Sequence, residues 1–313
     1  MAQKVMLITG CSSGIGLNMA VRFAKDAAKK YLVIPTMRNM EKRGPLEEAA
    51  GGALDDTLHI RQLDVVDDTS VAESVEKVVK DYGRIDILIN NAGVASLAPL
   101  EEASLDNVRA VMDTNFFGTA RMMQAVLPHM KRQRYGHIIN MSSITGINGF
   151  PFYDLYTASK HAIDGVTESI APRMKAHNIR LTSIIPGPVD SKINDNIVEE
   201  RRLPMRVAFD PITLQQARTI NPHLKYIFEQ LIQTADDVSD VVQAVVEKDD
   251  IDGPLRVFTS EYVRNMAAIK RSDLGRSNWI QYIRYMVEKK QDEVPTAHEQ
   301  NDKSFKQFLA MIK

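Results

Sequence analysis

A chain of 313 residues, 44% hydrophobic and 25% charged, has an ordinary globular make-up and enough apolar material for a sizeable core. Lys plus Arg total 39 against 40 Asp plus Glu, and the resulting net charge of −1 argues against a dedicated nucleic-acid binder. The single cysteine, Cys11, excludes an intrachain disulfide and fits a reducing compartment.

The first apolar run, Val5–Ile8, is too short for a secretory signal. No stretch reaches the roughly 18–20 apolar residues of a membrane-spanning helix. The expectation is a cytoplasmic protein, with peripheral membrane contact left open. Strands are predicted at Lys4–Thr9, Tyr31–Thr36, Leu58–Leu63, Ile85–Asn90, Gly136–Ser142 and Ile179–Ile185. Several are nearly continuous apolar runs, as parallel strands buried on both faces require. Between them, Asp68–Tyr82 places Val71, Val75, Val78, Val79 and Tyr82 on one helical stripe. Ser104–Lys131 and Tyr156–His177 read as long helices. The alternation predicts an α/β fold, a Rossmann-type doubly wound parallel sheet in one domain with a helical C-terminal extension.

Beyond Pro186 the pattern changes. Lys192–Asp210 is polar and reads as a loop; Thr213–Thr234 and Ala235–Lys248 read as helices and Leu255–Thr259 as a last strand. Val263–Lys270 and Ser277–Lys290 read as helices, their basic residues as a solvated face rather than a phospholipid-binding one. The end of the chain, with Phe305, Phe308, Leu309, Met311 and Ile312 among lysines, reads equally as a short amphipathic helix or a frayed tail.

The first strand runs into Thr9-Gly10-Cys11-Ser12-Ser13-Gly14-Ile15-Gly16 and then a helix. Gly10 permits a tight turn, Gly14 lets backbone approach a pyrophosphate, and Gly16 lets helix and strand pack closely. The free amides and positive dipole end of the helix suit phosphate. The strand-before, helix-after context separates this from a bare glycine pattern. Gly10–Gly14 also fits the G-x-S-x-G nucleophile elbow of hydrolases. That reading sets Ser12 on the first strand without an evident Asp–His pair and leaves Gly16 without a purpose. At the end of the second strand, Thr36-Met37-Arg38 lacks the carboxylate that NAD folds use on the ribose and offers Arg38 instead, which favours NADP(H).

Tyr156 and Lys160 are four apart at a helix start and share one face. A phenol of pKa about 10 is a poor base near neutrality, and a fixed ammonium beside it lowers that value. Tyr156 would then exchange a proton with a ketone or alcohol oxygen, and Ser143 would hold that same oxygen. The seven histidines form no H-E-x-x-H, and His129, His161 and His177 read as helix-surface or helix-end residues, so no metal site is expected.

Thr9–Gly16, Asn90-Asn91-Ala92-Gly93, Asn115, Ser143, Tyr156-x-x-x-Lys160 and Pro186-Gly187-Pro188-Val189 occur in this order. Together they resemble the short-chain dehydrogenase/reductase family over about residues 3–290. The resemblance implies one domain, 1–290, with a substrate loop and helix region at 190–235 and a tail at 291–313. It implies a catalytic set of Asn115, Ser143, Tyr156 and Lys160, with Asn115 holding a water that relays protons to Lys160. Ser143 and Tyr156 would bind the substrate. Ser12 and Arg38 would hold the 2′-phosphate, with Ser13, Gly14, Ile15 and Gly16 completing the phosphate turn after Gly10. Asp64 and Val65 would meet the adenine, and Asn91, Ala92 and Gly93 the adenosine ribose. Tyr156 and Lys160 would reach the nicotinamide ribose, and Pro186, Gly187, Val189 and Ser191 the nicotinamide end.

The implied reaction interconverts a hydrophobic alcohol and its ketone or aldehyde, with a 17β-hydroxysteroid of the estrone type first and all-trans-retinol/retinal as the alternative. Gln216 and Met286 fall near places where steroid-specific members carry a His and a Glu, and neither reproduces that pair. Phe150, Phe152, Tyr153, Leu155, Met205, Phe209, Tyr226, Phe228 and Tyr262 are the candidates for an apolar pocket. The resemblance also implies a homodimer through the two long helices. A non-catalytic NADP-binding regulator is the alternative of another class.

Overall fold

A computed structural model describes residues 3–96, 98–190, 210–218 and 232–272. Seven parallel strands form one sheet in the order β3-β2-β1-β4-β5-β6-β7. They are β1 (Lys4–Ile8), β2 (Tyr31–Met37), β3 (Arg61–Gln62), β4 (Ile87–Asn90), β5 (Gly136–Met141), β6 (Ile179–Ile185) and β7 (Arg256–Phe258). The two-residue period of a strand divides the core between two faces. Met6 and Ile8 point into a cluster with Met19 and Phe23 of helix α1 (Gly14–Ala24). Val5 and Leu7 point into a second cluster, with Val71, Val75 and Val78 of α3 (Asp68–Tyr82), which follows the short α2 (Gly44–Ala50).

The long helices lie on that second face: α5 (Gly118–Gln133) after α4 (Leu105–Met112), and α6 (Asp154–Lys175). On the first face Val238, Val242, Val245 and Val246 of α7 (Ala235–Lys248) join α1. The last described helix is α8 (Glu261–Ser272). Local chemistry starts and stops these elements. Asp67 accepts from Ser70 N at 2.9 Å to open α3, and Gly83 closes it at φ +78°. Thr234 and Asp237 form a reciprocal capping box on α7. The chain reverses strand order between β1 and β4, so a crevice opens at the C-terminal ends of these strands.

The expected strand Leu58–Leu63 shrinks to Arg61–Gln62, with Leu58 contributing only isolated bridges. It is an edge strand, so it has a ladder on one side alone. The expected single helix Ser104–Lys131 is broken by a π-helical turn, Asp113–Phe117, between α4 and α5. The cause is tertiary: the Asn115 side chain accepts from Val94 N and donates to Val94 O, both at 2.8 Å. Satisfying Val94 draws one extra residue into the helix turn. Helix α6 begins two residues before Tyr156, and Ser143 lies beyond β5 as the cap of a 3-10 turn, Ile144–Gly146. Residues 213–218 of the expected helix Thr213–Thr234 are helical, and 232–234 are not, because Gln233 bridges to Val189 and Thr234 caps α7. Residues 219–231 lie outside the described residues. So do the expected loop up to Phe209, the helix Ser277–Lys290 and the tail 291–313. No helix among the described residues is long and apolar enough to cross a membrane.

His129 is buried, not on the surface. Its Nε2 lies 3.3 Å from Glu76, and its Nδ1 lies 2.8 Å from Arg132.

Candidate active site

The glycine turn is clipped to the loop after β4. Thr9 Oγ1 accepts from Asn91 N and Ala92 N at 3.0 Å, and Asn91 Nδ2 donates to Thr9 O and Gly10 O at 3.0 Å. Gly10 sits at φ +72°, and a Cβ there would stand 2.7 Å from Ala92 Cα. A Cβ on Gly16 would overlap Gly10 O and Asn91 Nδ2. No bulkier residue fits at either position without moving backbone.

Two cavities share Ile15, Asn91 and Gly93 on their walls. The first, of about 170 Å³, is lined by Gly10, Ser12, Ser13, Gly14, Ile15, Gly16, Arg38, Asp64, Val65, Asn91, Ala92 and Gly93. The fold therefore gathers every residue expected on the adenosine side. Lys42 lines it too, carried in by a 3-10 turn at Met40–Arg43, and so do Asn39 and Thr114. The sequence reading missed these three. A cation four residues past Arg38, one helical turn on, was the available signal for Lys42. Ser13, at the N-terminus of α1, makes no side-chain cap, so the first helical amides are not satisfied from within. An uncapped helix start, two cations and an acid at Asp64 fit the phosphates and adenine of a dinucleotide. Among the described residues, no histidine lines either cavity.

The second cavity, of about 270 Å³, is lined by Ser143, Tyr156, Lys160, Pro186, Gly187 and Val189, with Thr145, Phe150, Tyr153 and Ile232 around them. Of the other pocket candidates, Leu155 is core and Phe152 occupies a positive-φ turn position. The Tyr262 hydroxyl is buried without a hydrogen-bond partner among the described residues. Met205, Phe209, Tyr226, Phe228 and Ser191 lie outside the described residues.

Ser143 Oγ accepts from Thr145 N at 3.1 Å and hydrogen-bonds the Tyr156 phenol. Burial pushes the Tyr156 phenol up to about 12, the reverse of the lowering expected from Lys160, because desolvation disfavours the phenolate, while the Ser143 contact pulls the other way. Burial also pulls the Lys160 ammonium down to about 8. Lys160 Nζ donates to Met141 O at 2.7 Å and stands 5.5 Å from the Tyr156 ring centre. A Cβ on Gly93 would stand 3.7 Å from Lys160 Nζ, so the loop after β4 borders the same group. Asn115 is fully buried behind the cavities and lines neither. Besides Val94 it donates to Ser159 Oγ at 2.9 Å, and Ser159 donates to Tyr156 O at 2.7 Å. Ser159, unforeseen in the sequence, thus ties Asn115 to the first turn of α6. A hydroxyl pair aimed into an apolar cavity, with a buried cation beside it, is equipped to hold a carbonyl oxygen and exchange a proton with it.

A family model for short chain dehydrogenase matches residues 4–202. Bovine retinol dehydrogenase 8 is 40% identical over 280 residues, covering 89% of this chain and 88% of that protein. Human 17-beta-hydroxysteroid dehydrogenase type 1 is 37% identical, covering 90% of this chain and 84% of its own. The solved structure of ElxO with NADP bound superimposes with a TM-score of 0.66 at 29% identity, covering 82% and 96% of the two chains. The chain belongs to the short-chain dehydrogenase/reductase family, oxidoreductases that act on CH–OH groups of small molecules with a nicotinamide cofactor.

Proposed function

We propose that this protein interconverts a hydrophobic alcohol and its ketone or aldehyde using NADP(H), with an estrone-type 17β-hydroxysteroid as the first substrate class. The observation that carries the reading is the convergence of Ser143, Tyr156 and Lys160 on an apolar cavity that adjoins the Arg38–Lys42 crevice. All-trans-retinal is the second reading, supported by the 40% identity to a retinol dehydrogenase.

The bound nicotinamide would supply or accept the hydride at the substrate carbon. The protein residues do the rest. Ser143 Oγ accepts a hydrogen bond from Thr145 N, which leaves its own hydrogen for the substrate oxygen. Tyr156 gives a proton to that oxygen in reduction and takes it back in oxidation. Lys160, held by Met141 O, stabilises the phenolate that reduction leaves behind. Asn115 and Ser159 position the start of α6. Gly10, Ser12, Ser13, Gly14, Ile15 and Gly16 would hold the phosphates, Asp64 and Val65 the adenine, and Asn91, Ala92 and Gly93 the ribose. Pro186, Gly187 and Val189 would face the nicotinamide.

Arg38 and Lys42 would share the 2′-phosphate, which is the basis for NADP(H) over NAD(H). Arg38→Ala is expected to weaken NADPH binding by about 1.5–3 kcal/mol and NADH binding much less. Calorimetric titration with both cofactors checks this, and equal losses would refute it. The substrate test is NADPH consumption with estrone and all-trans-retinal side by side. Turnover of one alone identifies the class; turnover of neither, with NADPH bound, removes both substrates and favours the regulator.

A homodimer through α4, α5 and α6 is also proposed. It is supported by Leu105 and Phe117, 68% and 50% exposed on that side, and a one-chain mass by light scattering would overturn it. Peripheral membrane contact through 291–313 stays an expectation, to be tested by co-sedimentation with anionic vesicles.

A further inference from the structure

Gln233 touches no reacting group, yet the floor of the catalytic cavity is built on it. Its main chain pairs with the segment after β6: Gln233 N donates to Pro188 O at 2.9 Å, and Asp190 N donates to Gln233 O at 2.8 Å. These bonds make a parallel bridge between Val189 and Gln233. The side chain adds three more contacts. Its Oε1 accepts from Gly187 N at 3.3 Å and from Thr259 Oγ1 at 2.6 Å. Its Nε2 donates to Thr259 O at 3.0 Å. Both lone pairs of the amide oxygen are therefore used, which sets the orientation of the amide. Gln233 and Thr259 are each 8% exposed, so these bonds are shielded from water.

The neighbours make the arrangement tight. Pro186 O accepts from Ile144 N at 2.8 Å, in the 3-10 turn that Ser143 caps. A Cβ on Gly187 would stand 2.7 Å from Val263 Cγ2 of α8. The Pro186–Val189 segment is thus held by the Ser143 turn at one end and by Gln233, Thr259 and Val263 behind. A shift of about 1 Å in a reacting geometry costs on the order of 10²-fold in rate, so the backing of this floor bears directly on catalysis.

We propose that Gln233 is a positioning residue for the nicotinamide end of the cofactor, setting the Gly187–Val189 backbone through its side-chain amide. The inference rests on the reading that the nicotinamide half lies against this segment. Gln233→Met keeps the length and the main-chain pairing but leaves Gly187 N and Thr259 O buried without their partner.

The test titrates the full-length protein by calorimetry with NADPH and with 2′,5′-ADP, which carries only the adenosine bisphosphate half. It also measures kcat at saturating NADPH. Gln233→Met is expected to weaken NADPH about tenfold, to leave 2′,5′-ADP within about twofold, and to lower kcat by about 10²-fold. Thr259→Val removes the 2.6 Å bond to Gln233 Oε1 and a longer contact to Ile185 O but leaves the Gln233 bonds to Gly187 N and Thr259 O, and provides the same comparison should Gln233→Met fail to fold; its losses should be smaller and again confined to NADPH and kcat. Equal weakening of NADPH and 2′,5′-ADP, or no effect on either ligand or on kcat, overturns the role of Gln233. Wild-type protein that binds NADPH no more tightly than 2′,5′-ADP overturns the underlying reading of the nicotinamide site instead.

Discussion

Tyr156→Phe is expected to lower kcat for carbonyl reduction by about 10³-fold while leaving the NADPH dissociation constant and the melting temperature close to wild type. The ring stays in its packing, and only the proton-carrying oxygen is lost. Ser143 keeps its bond from Thr145 N, and Lys160 keeps its bond to Met141 O, so the rest of the site is preserved. Burial holds the free-enzyme phenol up at about 12, which makes Tyr156 an acid at neutral pH. Reduction should therefore be flat between about pH 6 and 7 and fall as Lys160 loses its proton near pH 8, and oxidation should rise with pH over the lower range because it needs the phenolate. Steady-state rates in both directions with NADPH and NADP check this. Full activity in Tyr156→Phe would remove Tyr156 from the mechanism and leave Ser143 without its partner in proton transfer.

Lys160→Met should abolish detectable turnover and yet make the protein more stable at pH 7. Burial lowers the Lys160 ammonium from 10.5 to about 8. Below about pH 8 the lysine is charged in both the folded and unfolded chains, and the folded state carries the whole cost of burying that charge. Between about 8 and 10.5 the unfolded chain binds more protons, so raising the pH relieves the cost and stability rises. The gap corresponds to about 3 kcal/mol. Methionine removes that cost but leaves Met141 O without its donor, a loss of about 1–3 kcal/mol. A net gain of about 1 kcal/mol at pH 7 is expected, or about 2 °C in Tm for a chain of this size. Calorimetric scans at pH 7 and above 10 check it, because the gain should vanish at the higher pH. A variant that melts lower than wild type at pH 7 would show that the ammonium stabilises the fold. A lysine proposed for catalysis and held at a cost to stability is the expected form of a stability–activity trade-off.

Lys160 also shows how the site divides between what was legible and what was not. Its pairing with Tyr156 could be read because four residues on a helix bring two side chains to one face. Its bond to Met141 O spans 19 residues and depends on how α6 docks against β5. The same division runs through Asn115. Its place in a helical pattern was visible, but the π-turn was not. An apolar stripe does not register one extra residue in a turn, and the groups that cause it, Val94 and Ser159, are 21 and 44 residues away. Lys42 entered the Arg38 crevice because a short 3-10 turn redirects the chain after Arg38, and polar residues between two strands give no period from which to read it.

The sequence by itself determined the class of fold, the glycine turn, the Ser–Tyr–Lys set and the lean toward NADP(H). Each rests on a local pattern: a continuous apolar run in Val5–Ile8, glycines between a strand and a helix, a helical turn from Tyr156 to Lys160, and Arg38 in place of an acid. The tertiary structure alone decided the supports of those groups. Ser159 under Asn115, Met141 O under Lys160 and Gln233 behind Gly187 are made by hydrogen bonds between separate elements or turns. Such bonds form only after hydrophobic burial has brought those elements together, and a polar residue that meets its partner in this way carries no periodic mark in the chain.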